Sequence, residues 1–221
     1  HSTDCDDIEM GVRDEVNGQR VYVTPQGNIY PSITSILGRQ PKPGIEAWKE
    51  KVGYQEANRI MKESSALGTM VHGLCEDYLY NEDLQCEDKE AISVFNRLRF
   101  LLGNIDNIQC IEAPLHSDIL KVAGTADCIA EYNGVLSVID FKTSRKAKRE
   151  DWIEDYFIQA FFYSAAFFEM TGALPEQIVI LVAVRDSFEV QVFRKPFKEM
   201  DTYIGKLIEI MKKNPQVIQQ H

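Results

Sequence analysis

The sequence predicts a mixed α/β domain, α+β in arrangement, whose central mixed sheet follows the order βββαβ, flanked by helices and preceded by a helical region. Two observations carry this. Apolar spacing is helical through the first half of the chain and changes to strand period from Ile108 onward. A long, almost wholly apolar helix is then followed by the continuous run IVILVAV (178–184), the mark of a strand covered on both faces. The change of period near residues 103–107 divides the chain into a tail with a short hairpin (1–30), a helical region (31–104) and a mixed core (105–221), expected to form one compact unit.

Taken in order, the acidic stretch from Asp4 to Glu15 reads as a solvated tail, with His1 and Ser2 as a cloning remnant. Residues 20–30 alternate around Pro25-Gln26-Gly27-Asn28, which predicts a hairpin before Pro31. Ser32 or Thr34 then caps a helix, and helical spacing covers 33–39, 44–63, 66–80 and 87–102. Three strands follow in IQCIEAPLHS, VAGTADCIAEY and VLSVIDFKT. The long helix from Asp151 to about Met170 has Asp151 and Glu154 at capping-box spacing and Gly172 with Pro175 beyond its end. After the strand at 178–184 come a short strand at 189–194 and an amphipathic helix over 198–213, with a right-handed crossover expected between the parallel strands.

Composition narrows the function classes. The five cysteines (Cys5, Cys75, Cys86, Cys110, Cys128) stand singly with no C-x-x-C pair, which suggests neither a zinc ribbon nor a disulfide framework and fits a reducing, intracellular setting. No apolar run approaches the roughly 20 residues needed to span a bilayer. The net charge of −10 counts against a protein that grips duplex DNA through a broad basic face. Locally, Arg145, Lys146, Lys148 and Arg149 form a basic cluster that is either a substrate contact or a solvated surface.

The chemistry is placed by one turn. Asn133-Gly134 between alternating runs predicts a two-residue type I′ hairpin, in which both turn residues take positive φ. With Tyr132 facing Val135, Asp127 falls opposite Asp140 and Thr125 opposite Lys142, and the side chains of Asp127, Asp140 and Lys142 leave the same face as Ile129, Leu136 and Val138. Two opposed carboxylates on a covered face repel unless a cation lies between them, and hard oxygen donors suit Mg²⁺ or Mn²⁺. Lys142 beside them would stabilise charge developing on a phosphorus centre.

Other candidates remain open on spacing alone. Gln159 and Tyr163 share one helix face at i, i+4 and either touch substrate and Lys142 or form an ordinary core pair. His72 and Glu76 share another helix face, where a single histidine is more often structural. Glu112 on the first strand either extends the carboxylate cluster or is an exposed strand residue.

Read together, G-T-A-D at 124–127, I-D-F-K-T at 139–143 and Q-x-x-x-Y at 159–163 resemble the RecB-like branch of the PD-(D/E)XK nucleases. G-T-x-x-H at 68–72 and P-S-I-T at 31–34 narrow the likeness to the mitochondrial genome maintenance exonucleases and their phage relatives, over about residues 30–212. The resemblance implies a restriction-endonuclease-like core and a Mg²⁺- or Mn²⁺-dependent deoxyribonuclease acting in DNA replication or repair. It implies His72, Asp127, Asp140 and the Phe141 carbonyl as metal ligands, Glu112 as a possible additional acid, and Asp127, Asp140 and Lys142 as the catalytic set. Gln159, Tyr163, Thr143, Ser32, Thr34, Arg145 and Lys146 are the residues expected to meet substrate.

Close members of that branch act as exonucleases on single-stranded DNA, with the helical region arching over the site so that a free end must thread through. Such threading suits an acidic protein. The dispersed cysteines leave no place for the iron–sulfur cluster of some RecB-like nucleases. The expected partners are single-stranded DNA and replication or recombination proteins, with no membrane, in a bacterial or phage-infected cytoplasm or a mitochondrion. The alternatives are a structure-specific endonuclease and a catalytically inactive nucleic-acid-binding module of the same fold.

Overall fold

The computed structural model describes residues 11–16 and 18–215, so Cys5 and the first part of the acidic stretch lie outside the described residues. Three short strands, β1 (Val12–Val16), β2 (Gln19–Val23) and β3 (Ile29–Pro31), form a small antiparallel sheet in chain order. Four helices follow: α1 (Ile33–Gly38), α2 (Pro43–Val52), α3 (Tyr54–Leu79) and α4 (Lys89–Leu102). The second half comprises β4 (Ile105–Ser117), β5 (Val122–Tyr132), β6 (Val135–Ser144), α5 (Glu154–Thr171), β7 (Gln177–Val184), β8 (Val190–Pro196) and α6 (Met200–Lys213). Its five strands lie in chain order in one sheet that is antiparallel except for the β6–β7 pair, which is parallel. This mixed sheet flanked by helices is consistent with the expected restriction-endonuclease-like core.

The sheet sits between two apolar layers, because β6 and β7 are covered on both faces. On one face Ile129, Val138, Ile178, Ile180 and Val182 pack beneath α5 and α6, where Phe157, Phe161 and Phe162 are among the largest fully buried side chains. On the other, Cys128, Ile139, Phe141, Val179 and Leu181 pack against Leu67, Val71 and Leu74 of α3 and Val94, Phe95 and Leu98 of α4. Each such fully buried large side chain contributes about 1.5–3 kcal/mol. The first-half helices therefore close one face of the core sheet.

The Asn133-Gly134 turn forms as expected, with φ of 51° and 78°. Tyr132 faces Val135, and the register runs unshifted to Cys128 opposite Ile139. Other expectations shift. Residues 12–15, read as tail, belong to β1; all five of its residues are exposed, so burial left no alternation to read. The helix break expected near residue 64 falls at Gly53, whose φ of 90° interrupts the chain between α2 and α3. Helix α5 starts one turn late: Asp151 pairs with Arg149 at 2.8 Å, Ile153 takes the N-cap position, and the Asp151–Glu154 capping box does not form. Ser32 is the N-cap of α1, but its hydroxyl meets Thr34 Oγ1 at 2.7 Å and no backbone amide.

Candidate functional site

The G-T-A-D segment is the point at which three layers meet. Ser32 bridges Ala123, and Tyr22 Oη lies 2.9 Å from Thr125 Oγ1, so the small sheet and α1 dock on β5 at this segment. Gly124 is required there for space. A Cβ at that position would come within 2.8 Å of Ile33 Cγ2 and 2.9 Å of Tyr163 Cε1, closer than carbon atoms tolerate.

Asp127 stands one rung beyond the last regular pair of the β5–β6 ladder. Its Oδ2 accepts the Phe141 N–H at 2.8 Å, so a carboxylate takes over the bond that a backbone carbonyl would have accepted. On the other side of β5 the alternation itself breaks. Cys110 and Ala113 of β4 pack in the same layer, as do Ala126 and Ile129 of β5. Residues three apart cannot share a face in a regular strand. The rung between them is Glu112 opposite Asp127, and Glu112 has φ of 49°, a left-handed conformation uncommon outside glycine. The break brings Glu112 and Asp127 into one cleft of about 490 Å³, with His72 and Glu76 of α3, Asp140 and Lys142 of β6, and Gln159 and Tyr163 of α5.

Within the cleft the groups form two sets. His72 Nδ1 is 3.4 Å from Asp127 Oδ1, and one ligand atom each from His72, Glu112 and Asp127 lie within 4.8 Å of one another. In the second set, Lys142 Nζ is 2.7 Å from Asp140 Oδ2, donates to Gln159 Oε1 at 3.2 Å, and lies 5.0 Å from the centre of the Tyr156 ring. Gln159 Nε2 donates to Tyr163 Oη at 2.9 Å, which fixes which end of the amide faces the lysine. Among the described residues the ammonium of Lys142 is the partner of the buried Asp140 Oδ2, which has no further hydrogen bond.

These contacts set the charges. Burial disfavours the His72 imidazolium, but the Asp127 carboxylate outweighs it and pushes the pKa up to about 9. Burial, then the nearby Asp127 and Glu76 charges, push Glu112 up to about 7. Burial also raises Asp140, with Lys142 opposing it and Asp127 adding to it. For Asp127, burial is outweighed by His72, Lys142 and the Phe141 amide, and the carboxyl stays ionised. Lys142 is likewise held as an ammonium against burial by Asp140 and Asp127.

The donor set fits a divalent cation. Two converging carboxylates and an imidazole supply hard oxygen and nitrogen donors suited to a divalent cation, which would take the place of the proton that His72 holds beside Asp127. Asp127, Glu112 and His72 are the grouped donors, and Asp140 stands on the Lys142 side.

The cleft gathers most of the sequence candidates: His72, Glu112, Asp127, Asp140, Lys142, Gln159, Tyr163, Ser32 and Thr34 all line it. Phe141 meets it through its backbone N–H, while its ring packs in the α3–α4 layer edge-on to His72. Three other candidates stand elsewhere. Thr143 lies against Gly68 of α3, Arg145 pairs with Asp186 at 3.4 Å, and the Lys146 carbonyl accepts the Ser144 hydroxyl. Sequence reasoning missed Tyr156, although its i, i+3, i+7 spacing with Gln159 and Tyr163 was available. It also missed Arg13, Arg20 and Tyr22, which line the cleft from β1 and β2.

No family model matches the chain. The chain is similar to proteins named mitochondrial genome maintenance exonuclease 1: 30% identical to that of Mus musculus over 133 residues and 28% to that of Homo sapiens over 134, in both cases 56% of this chain and 39% of the relative. The Xenopus tropicalis protein of the same name is 30% identical over 138 residues, 58% of this chain and 39% of its own length. The matches thus span about two fifths of these relatives. Among solved structures, that of SSO0001 aligns over 84% of this chain and 76% of its own with a TM-score of 0.41 and 16% identity. The likeness drawn from the motifs and the likeness found by comparison lead to the same relatives.

Proposed function

We propose that this relative of the mitochondrial genome maintenance exonucleases is a divalent-metal-dependent deoxyribonuclease that degrades single-stranded DNA from a free end. The observation that carries the reading is the convergence of His72, Glu112, Asp127 and Asp140 on one cleft beside a lysine kept charged. Asp127, Glu112 and His72 would hold the cation, with Asp140 and the Phe141 carbonyl as further donors, and the carboxylate-rich set favours Mg²⁺ or Mn²⁺. When bound, such an ion polarises a phosphate oxygen and lowers the pKa of a water molecule.

The protein's own part follows from the contacts. Lys142 keeps its proton at Nζ, so its role is to meet the negative charge that grows on the phosphoryl oxygens and not to abstract a proton. Gln159 and the Tyr156 ring hold that ammonium at the cleft, and Tyr163 orients Gln159. Single strands suit the acidic chain, because a threaded strand needs local cations and not a broad basic surface.

The test is degradation of 5′- and 3′-labelled single-stranded, duplex and circular DNA with Mn²⁺ or with EDTA. The expected result is stepwise loss of linear single strands that EDTA and Asp140→Asn abolish. Cleavage of circles would replace the exonuclease with an endonuclease, and tight binding without metal-dependent degradation would replace it with an inactive binding module.

A further inference from the structure

The β1–β2 hairpin contributes a second feature that the chemistry above does not use. Residues paired across an antiparallel ladder share a face, and the register pairs Arg13 with Tyr22 and Arg20 with Glu15. Tyr22 reaches Thr125 in the cleft, so this face of the hairpin is turned toward the catalytic groups. Arg13 and Arg20 line the cleft there, and they also line an adjoining surface cavity together with Asp14, Glu15, Thr34 and Ser35. The residues common to both cavities are Arg13, Arg20 and Thr34: two guanidinium groups and a hydroxyl, with no carboxylate.

The boundary that the two cavities share is therefore cationic, whereas the rest of each lining carries carboxylates. Inside lie Glu76, Glu112, Asp127 and Asp140, and outside lie Asp14 and Glu15. Lys142 is committed to Asp140 and Gln159, whereas Arg13 and Arg20 have no ion pair among the described residues. Arg13 and Arg20 lie diagonally across the ladder on one face of the hairpin, with Glu15 directly opposite Arg20, and a phosphate seated over the two guanidinium groups would accept planar, charge-assisted hydrogen bonds from both.

We propose that Arg13 and Arg20 form a phosphate-binding neck, which grips the sugar–phosphate backbone of the single strand one or more nucleotides outside the position of cleavage. This takes the nuclease reading as its premise for the identity of the strand. The neck makes the small N-terminal sheet part of the substrate path and accounts for how a chain of net charge −10 receives a polyanion. A local pair of cations at the mouth steers the strand past carboxylates that would otherwise repel it.

The test is binding of a fluorescein-labelled oligo(dT) 20-mer followed by anisotropy in EDTA, at a series of salt concentrations, so that no cleavage intervenes. The expected result for the Arg13→Ala/Arg20→Ala double variant is binding weakened about tenfold or more, with the slope of log K against log salt reduced by about 1.4, the loss of two single-strand phosphate contacts. Arg13→Lys/Arg20→Lys should restore most of the slope, which a variant that merely unfolds the hairpin would not allow. An unchanged affinity and slope in the alanine variant, or a lost salt slope that lysine does not restore, overturns the neck. Parallel Mn²⁺ degradation by the wild type and by Asp140→Asn separates this from the function. A wild type that binds with the expected slope and never degrades the strand leaves the neck standing and sinks the nuclease.

Discussion

The two sides of the cleft are built on opposite principles. On the α5 side, Lys142, Asp140, Gln159 and Tyr163 form a chain in which each charged or polar group meets the next, and Tyr156 packs beneath the ammonium. On the α3 side, Glu112, Glu76 and Asp127 face one another with His72 as the cation among them, and Glu112 is held there by an uncommon backbone conformation. On the first side the ammonium is paired and held by its neighbours, whereas the other carries a strained backbone position and like charges that only His72 offsets. The fold thus holds the lysine through side-chain partners and gathers the acids by breaking a strand's alternation.

The comparison breaks first at Asp127, which touches both sides through His72 and the Phe141 amide. Asp127→Asn should lower Mn²⁺-dependent degradation by about 10³-fold while the protein remains folded, since removing a single stabilising group at a charged transition state already costs about 10²–10³-fold. Steady-state cleavage together with circular dichroism checks both halves.

Glu112→Gln sharpens the contrast by acting on one side alone. Mn²⁺ affinity measured by calorimetry should fall about 10–100-fold. The Lys142 side should keep its protonation behaviour, followed as the Lys142 ammonium in NMR titration. Because Glu112 with pKa near 7 and His72 near 9 must lose protons to act as ligands, wild-type Mn²⁺ affinity should rise with pH from about 6 to 9, by up to tenfold per unit for each proton displaced.

The sign for metal-free stability is the reverse. A histidine raised above its ordinary value stabilises the fold fully below about pH 6.5 and loses that contribution as pH rises through 9. Chelated protein should therefore melt lower at pH 9 than at pH 6.5, and the Glu112 penalty, which builds between about pH 4.5 and 7, should pull in the same direction.

Smaller effects belong to the α5 side. Gly124→Ala forces Ile33 and Tyr163 apart and should cost about 1–3 kcal/mol in denaturant unfolding, the ordinary range for overpacking. Tyr163→Phe removes the acceptor of the Gln159 amide and should cost about 1 kcal/mol, with a few-fold loss of activity as Gln159 gains freedom.

The same contrast explains what could be read from the sequence. The α5 side was legible, because Asn133-Gly134 fixes the β5–β6 register and helical spacing carries Gln159 and Tyr163 to Lys142. On the α3 side His72 was reachable from its motif. The role of Glu112 was not, since it depends on a broken alternation that no residue type announces. β1 was hidden because a fully exposed edge strand has no apolar period, and with it went Arg13 and the hairpin partner of Arg20. The cluster Arg145–Arg149 drew attention as a cationic run, but in the fold Arg145 meets Asp186 and Arg149 meets Asp151 and the Trp152 ring. A charge run shows where cations lie in sequence, whereas their use depends on which carboxylates fold beside them.

The central claim is that a divalent cation belongs between the acids of the cleft, and anomalous diffraction from crystals grown with Mn²⁺ tests it most directly. The account predicts a peak within coordination distance of Asp127 and Glu112 that disappears in Asp127→Asn crystals. A cleft without density in protein that still degrades DNA with Mn²⁺, or a peak located elsewhere on the molecule, would contradict it.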